Sequence, residues 1–140
     1  MQGDAAIIEL LNDVLTAELT AINQYFIHAK MCENWGYERL GKHFYDESIG
    51  EMKDADELIK RILFFEGHPN LQKLNPLAVG ENPKEMLELS RDSEYAASKQ
   101  FNDSATECRG LGDQSESRRV DEEPVVAPAR RASRKARWIF

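Results

Sequence analysis

The sequence predicts an all-α protein: a helical bundle with a long irregular connection after its second helix and a fourth helix that is truncated or absent. Three observations predict it. Two stretches, 5–34 and 37–65, each keep an apolar row at a 3.6-residue period with no proline. The segment 67–82 that follows is punctuated by Gly67, Pro69, Asn75, Pro76, Gly80 and Asn82. Beyond Gly110 and Gly112 the chain turns polar and then meets Pro124 and Pro128, which no long helix accommodates.

The first helix is expected to start at Ala5, capped by Asp4, and to stop at Gly36 after Trp35. Its apolar row runs Ile7/Ile8, Leu11, Val14/Leu15, Ile22, Tyr25/Phe26 and Ala29, and Glu18 interrupts it between Leu15 and Ile22. The second helix, about 37–65, carries Phe44, Glu47/Ser48, Glu51, Asp54/Ala55, Leu58, Ile62 and Phe65 in its core row and ends at Glu66-Gly67. Two long helices joined by a short connection read as an antiparallel hairpin. In the 67–82 segment, Leu71, Leu74, Leu77 and Val79 are expected to pin the connection down. A third helix starts at Asn82-Pro83, an N-cap followed by proline at the first helical position, and runs to about Arg109. Ser90, Ser93, Ser98 and Ser104 weaken its apolar row, and Glu94 lies beside that row.

Glu51 and Asp54, one turn apart inside an apolar row, are the most informative feature. A buried carboxylate is costly unless a cation compensates it, so carboxylates on helix seams point to a metal or a buried basic partner. Surface acids misplaced by a small error of helical phase are the plain alternative. Met52 shares a different row with Tyr45, Ile49, Asp56, Ile59 and Leu63, which from the sequence alone reads as packing. His28, His43 and His68 match no metal-ligand spacing and read as surface or packing residues. Cys32 and Cys108 read as packed thiols.

The chain of 140 residues is long enough for one domain with its own core. Its net charge is −7, yet residues 120–140 hold five basic and three acidic residues, which leaves 1–119 at −9. An acidic body disfavours nucleic acid and suits a protein that collects cations. No apolar run approaches the roughly 18 residues of a membrane span. An acid near the start, Asp4, stands where a signal peptide needs basic residues, so the expectation is a cytoplasmic protein. The expected organisation is a helical domain over 1–119 and a divergent, disordered Pro/Arg-rich tail over 120–140.

The residues then become specific. Leu15-Thr16-Ala17-Glu18-Leu19-Thr20-Ala21-Ile22-Asn23-Gln24-Tyr25-Phe26 resembles the first helix of bacterioferritins, as does the run from Met31 to Asn34-Trp35-Gly36. Glu47-Ser48-x-x-Glu51-Met52-x-x-Ala55-Asp56 and Arg61-Ile62-Leu63-Phe64-x-Glu66-Gly67-x-Pro69-Asn70-Leu71-Gln72 resemble the second helix and the start of the crossover. The resemblance is close over 1–89, eroded over 90–118 and lost after 119. It implies a ferritin-like four-helix bundle, a dimer building block in a 24-subunit shell, and storage of ferric mineral after Fe(II) is bound and oxidised at an intra-bundle di-iron site.

By resemblance Glu18, Glu51 and Glu94 are metal ligands, Tyr25 is a catalytic core tyrosine, and Met52 is the axial ligand of a haem b shared by two subunits. The family has histidine where this chain has Asp54, which is the fourth candidate ligand. The family's fourth-helix Glu-x-x-His falls on Ala127 and Arg130, an abrupt change that resembles a shift of reading frame. The implied function is bacterioferritin-like iron storage with impaired ferroxidase activity. The alternative is a structural or haem-carrying subunit without ferroxidase activity, in a mixed shell with complete subunits.

Overall fold

The computed structural model describes residues 3–110, and within them three helices: α1 (Ala5–Asn34), α2 (Glu38–Phe64) and α3 (Pro83–Gly110). The region expected to hold a fourth helix, the tail over 120–140 and the side chain of Cys108 lie outside the described residues.

Each helix end has a local chemical cause. The Asp4 carboxylate accepts from the Ala6 N–H at 2.7 Å and caps α1. At the other end Gly36 takes φ +86°. Its N–H reaches the Glu33 carbonyl, and the Tyr37 N–H reaches the Cys32 carbonyl at 2.9 Å. This paired closure turns the chain back at once, so α2 starts antiparallel to α1. The end of α2 repeats the pattern, with Glu66 N–H on Leu63 and Gly67 N–H on Ile62. Here, however, Glu66 and not Gly67 takes the left-handed backbone, at φ 60°. Gly67 serves a different need: a Cβ there would stand 2.7 Å from Ile8 Cγ2. Asn82 caps α3 by accepting from Glu85 N–H at 2.9 Å, with Pro83 as the first helical residue.

The core is the α1–α2 seam. Val14, Leu15, Ala55, Leu58 and Ile62 form its centre, joined by Phe101 from α3. Tyr25, Ala29, Cys32, Phe44 and Met86 form a second cluster toward the hairpin turn. These positions recur every three to four residues, so one apolar stripe on each helix is buried against the other. Among the described residues the Cα atoms of α3 come within 8 Å of those of α1 and not of α2, so α3 reaches the α2 side only through long side chains such as Phe101 and Met86. Phe26, in the row expected to face inward, is instead 46% exposed, because Tyr25 beside it takes the core position.

The crossover corrects an expectation. Leu71, Leu74, Leu77 and Val79 do not pin it down; all are exposed. Polar side chains of α1 hold its backbone instead. Asn12 donates to the His68 carbonyl and accepts from Asn70 N–H. Thr20 accepts from Asn75 N–H at 2.9 Å, Gln24 from Ala78 N–H at 3.4 Å, and His28 Nε2 from Gly80 N–H at 2.9 Å. Residues 12, 16, 20, 24 and 28 form one polar row at four-residue spacing, which an irregular segment needs because its own backbone groups have no ladder.

Candidate metal centre

Midway along the α1–α2 seam the apolar stripe gives way to acid. Glu18 projects from α1 one turn after Leu15, and Glu51 and Asp54 project from α2 one turn apart. Helical spacing alone puts the last two on one face. Their exposures are 2%, 1% and 0%. One carboxylate oxygen from each lies within 4.8 Å of those of the other two. Among the described residues this is the one such group of potential metal ligands. Beside it, buried Ser48 donates to the Ile22 carbonyl at 2.9 Å and ties α2 to α1 at this level.

Glu94 of α3 is also buried, at 8% exposure. It stands outside the three-residue group, and Tyr25 donates its hydroxyl to Glu94 Oε1 at 3.0 Å. Tyr25 is fixed in turn by the Phe44 ring, with centroids 6.1 Å apart. A cavity of about 210 Å³ joins the two parts, since Glu18, Glu51 and Glu94 all line it. Small side chains, Ala17, Ala21, Ser93 and Ala97, leave the space open, and Asn75 and Pro76 of the crossover form part of its wall.

Unit negative charges about 4.8 Å apart repel by about 3.5 kcal/mol per pair at an effective dielectric constant of about 20. A cation reverses that sign. The donors are all hard oxygens, which suit Mg²⁺, Mn²⁺, Ca²⁺ and iron better than soft metals. The residues present therefore fit a hard cation.

The other candidates lie elsewhere. Met52 is 51% exposed on the outer side of α2. Phe26 and Tyr45, a ring pair with centroids 6.4 Å apart, are exposed as well. His43 and His68 are exposed. His28 is fully buried, and burial holds its imidazole below the ordinary pKa of 6.5 against the opposing charge of Glu85. Cys32 is buried against Met86, with its thiol pushed up by desolvation. Sequence reasoning missed Thr20, Gln24 and Ser48 as polar anchors and left His28 without a role. The four-residue spacing of the polar row was the available signal.

Long antiparallel helices that turn carboxylates into their own seam define a metal-binding helical bundle of the carboxylate type. Residues 8–116 match the model of the ferritin-like domain. The chain is 50% identical over 113 residues to the bacterioferritin of Rhodobacter capsulatus and to that of Brucella melitensis biotype 1, covering 81% of this chain and 70% of each relative. It is 43% identical over 109 residues to the bacterioferritin of Mycobacterium bovis, covering 78% of this chain and 69% of that protein. The chain belongs to the bacterioferritin family of ferritin-like proteins. That membership, together with the carboxylate group, supports iron storage and metal binding as its general role. No described helix is long and apolar enough to cross a membrane.

Proposed function

We propose that this chain binds Fe(II) inside its helical bundle and takes part in storing it as ferric mineral. The observation that carries this reading is the meeting of Glu18, Glu51 and Asp54, from two helices, in a buried seam. Iron is here the substrate. Glu51, which matches the family's bridging carboxylate, would hold iron together with Glu18 and Asp54. Asp54 supplies an anionic oxygen where the family pattern has a neutral imidazole. Glu94, held by Tyr25, lines the same cavity and offers a further oxygen. Oxidation passes one electron from each Fe(II) to oxygen or peroxide. A peroxide that takes two electrons and two protons yields two waters and turns over two Fe(II).

Turnover in this chain is slow. Asp54 adds charge to the site without adding a nitrogen donor, so it holds Fe(III) tightly and retards release of product. The family's fourth-helix ligand positions fall on Ala127 and Arg130. The test is an Fe(II) titration of the purified chain, followed by absorbance of ferric oxygen species. Binding with oxidation much slower than mixing is expected. Rapid stoichiometric oxidation overturns the impairment, and failure to bind Fe(II) overturns the assignment.

A second reading rests on Met52. A half-exposed thioether on an outer face with Phe26, Tyr45 and Leu63 fits one axial contact to haem iron and leaves the other to a second copy. In this reading the chain is a haem-carrying or structural subunit, as a homodimer or beside complete subunits in a larger shell. When bound, the haem supplies electron transfer. Anomalous scattering at the iron edge separates the readings: density among the carboxylates supports storage chemistry, and density only beside Met52 supports the haem-carrying subunit.

A further inference from the structure

One buried titratable side chain takes no part in the metal chemistry. Of the four α1 side chains that hold the crossover, Asn12, Thr20 and Gln24 keep one protonation state across the neutral range. His28 does not. Its Nε2 accepts from Gly80 N–H at 2.9 Å, so the proton of the neutral ring is on Nδ1. Among the described residues Nδ1 has no hydrogen-bond partner. Protonation turns Nε2 into a donor that faces another donor, and the hydrogen bond is lost.

We propose that His28 is an acid-sensitive latch on the crossover: neutral, it holds Gly80 in place; protonated, it releases the end of the crossover and loosens the wall of the carboxylate cavity. The surroundings define the balance. From α2 the ring meets Phe44, with centroids 5.6 Å apart. From α3 the charge of Glu85 favours protonation, and burial opposes it more strongly. On its own helix Cys32 lies one turn on, neutral because burial raises its pKa. The crossover contributes the Gly80 backbone. Gly80 has no slack, since a Cβ there would stand 2.8 Å from Met86 N and Met86 Cγ. Its release therefore disturbs the first turn of α3, the helix that carries Glu94, while Asn75 and Pro76 belong to the same crossover.

The sign follows from linkage. Burial depresses the folded-state pKa, so the stabilisation is complete above the ordinary value of 6.5 and is lost as pH falls below it. The consequence for the cavity rests on the metal reading above; the latch does not.

The test is amide exchange at Gly80 in the metal-free full chain from about pH 7.5 to about pH 5, corrected for intrinsic exchange. Protection at Gly80 is expected to fall by up to about ten-fold per pH unit below 6.5. His28→Gln, whose amide oxygen accepts at every pH, is expected to abolish that dependence, while His43→Gln and His68→Gln keep it. Flat protection in the unmodified chain overturns the latch, as does persistence of the dependence in His28→Gln. Should His28→Gln fail to fold, the ring ¹⁵N shifts of His28 in the unmodified chain decide: a titration midpoint that matches loss of Gly80 protection supports the latch, and a mismatch overturns it. A separate arm loads Mn²⁺ and follows its release. Release that quickens in the same pH window, but not in His28→Gln, extends the latch to the cavity. Mn²⁺ that never binds counts against the metal reading, while Gly80 exchange still judges the latch.

Discussion

The two seams of α1 solve the same problem in opposite ways. Toward α2 the helix buries Val14, Leu15 and Ala29 and sets Glu18 among them, so this seam gains its stability from apolar area and concentrates negative charge at one level. Toward the crossover it presents Asn12, Thr20, Gln24 and His28, and every contact is a side chain meeting a backbone group. The first seam is stable and gathers three buried carboxylates at one level, where a cation would bind. The second concentrates no like charge, but its contacts are individually weak, because each hydrogen bond contributes only about 1 kcal/mol net. Chemistry is thus placed on the rigid seam, and the adjustable wall is the one held by hydrogen bonds.

The largest way to break this contrast is in the apolar seam. Phe44→Ala is expected to cost about 3–5 kcal/mol, since the ring is fully buried and supports both Tyr25 and His28. Chemical denaturation measures it, and a loss under about 1 kcal/mol would show that the seam is not the core.

Asp54→Asn sharpens the contrast by acting with two signs. Removing one of three converging charges is expected to raise the stability of the metal-free chain by about 1–3 kcal/mol. The same change is expected to weaken Mn²⁺ or Fe(II) binding by at least about ten-fold, read by calorimetry. A substitution that lowers stability and leaves binding intact would contradict the charge argument.

On the polar seam Asn12→Ala removes two contacts at once, to the His68 carbonyl and the Asn70 N–H, and is expected to cost about 1–2 kcal/mol. The loss should appear first as faster exchange at Asn70, with the α1–α2 core still protected.

The smallest effect is a gain. Glu66 holds a left-handed backbone at the end of α2, and Glu66→Gly is expected to stabilise the chain by up to about 1 kcal/mol, seen as a higher melting temperature.

Much of the fold is legible in the sequence alone. Asp4, Gly36, Asn82 and Pro83 mark helix ends by local chemistry, and the apolar rows mark the buried stripes by period. Glu18, Glu51 and Asp54 were legible as violations of that period, since an acid among core positions stands out. The crossover was misread because its leucines look like anchors and the polar row of α1 looks like a solvated face. Period says which face a residue shares and nothing about what lies opposite. Glu94 illustrates the same limit: its row was visible, while its hydrogen bond to Tyr25 depends on how α3 sits against α1.

Alone, then, the sequence determined three helices, where they start and stop, and which side chains share a stripe, because capping and periodicity are properties of neighbouring residues. Tertiary structure decided that three carboxylates meet within one cation's reach, that Glu94 binds Tyr25, and that His28 grips Gly80. Those pairings join residues far apart in the chain, and only the packing of one helix or loop against another fixes their distances.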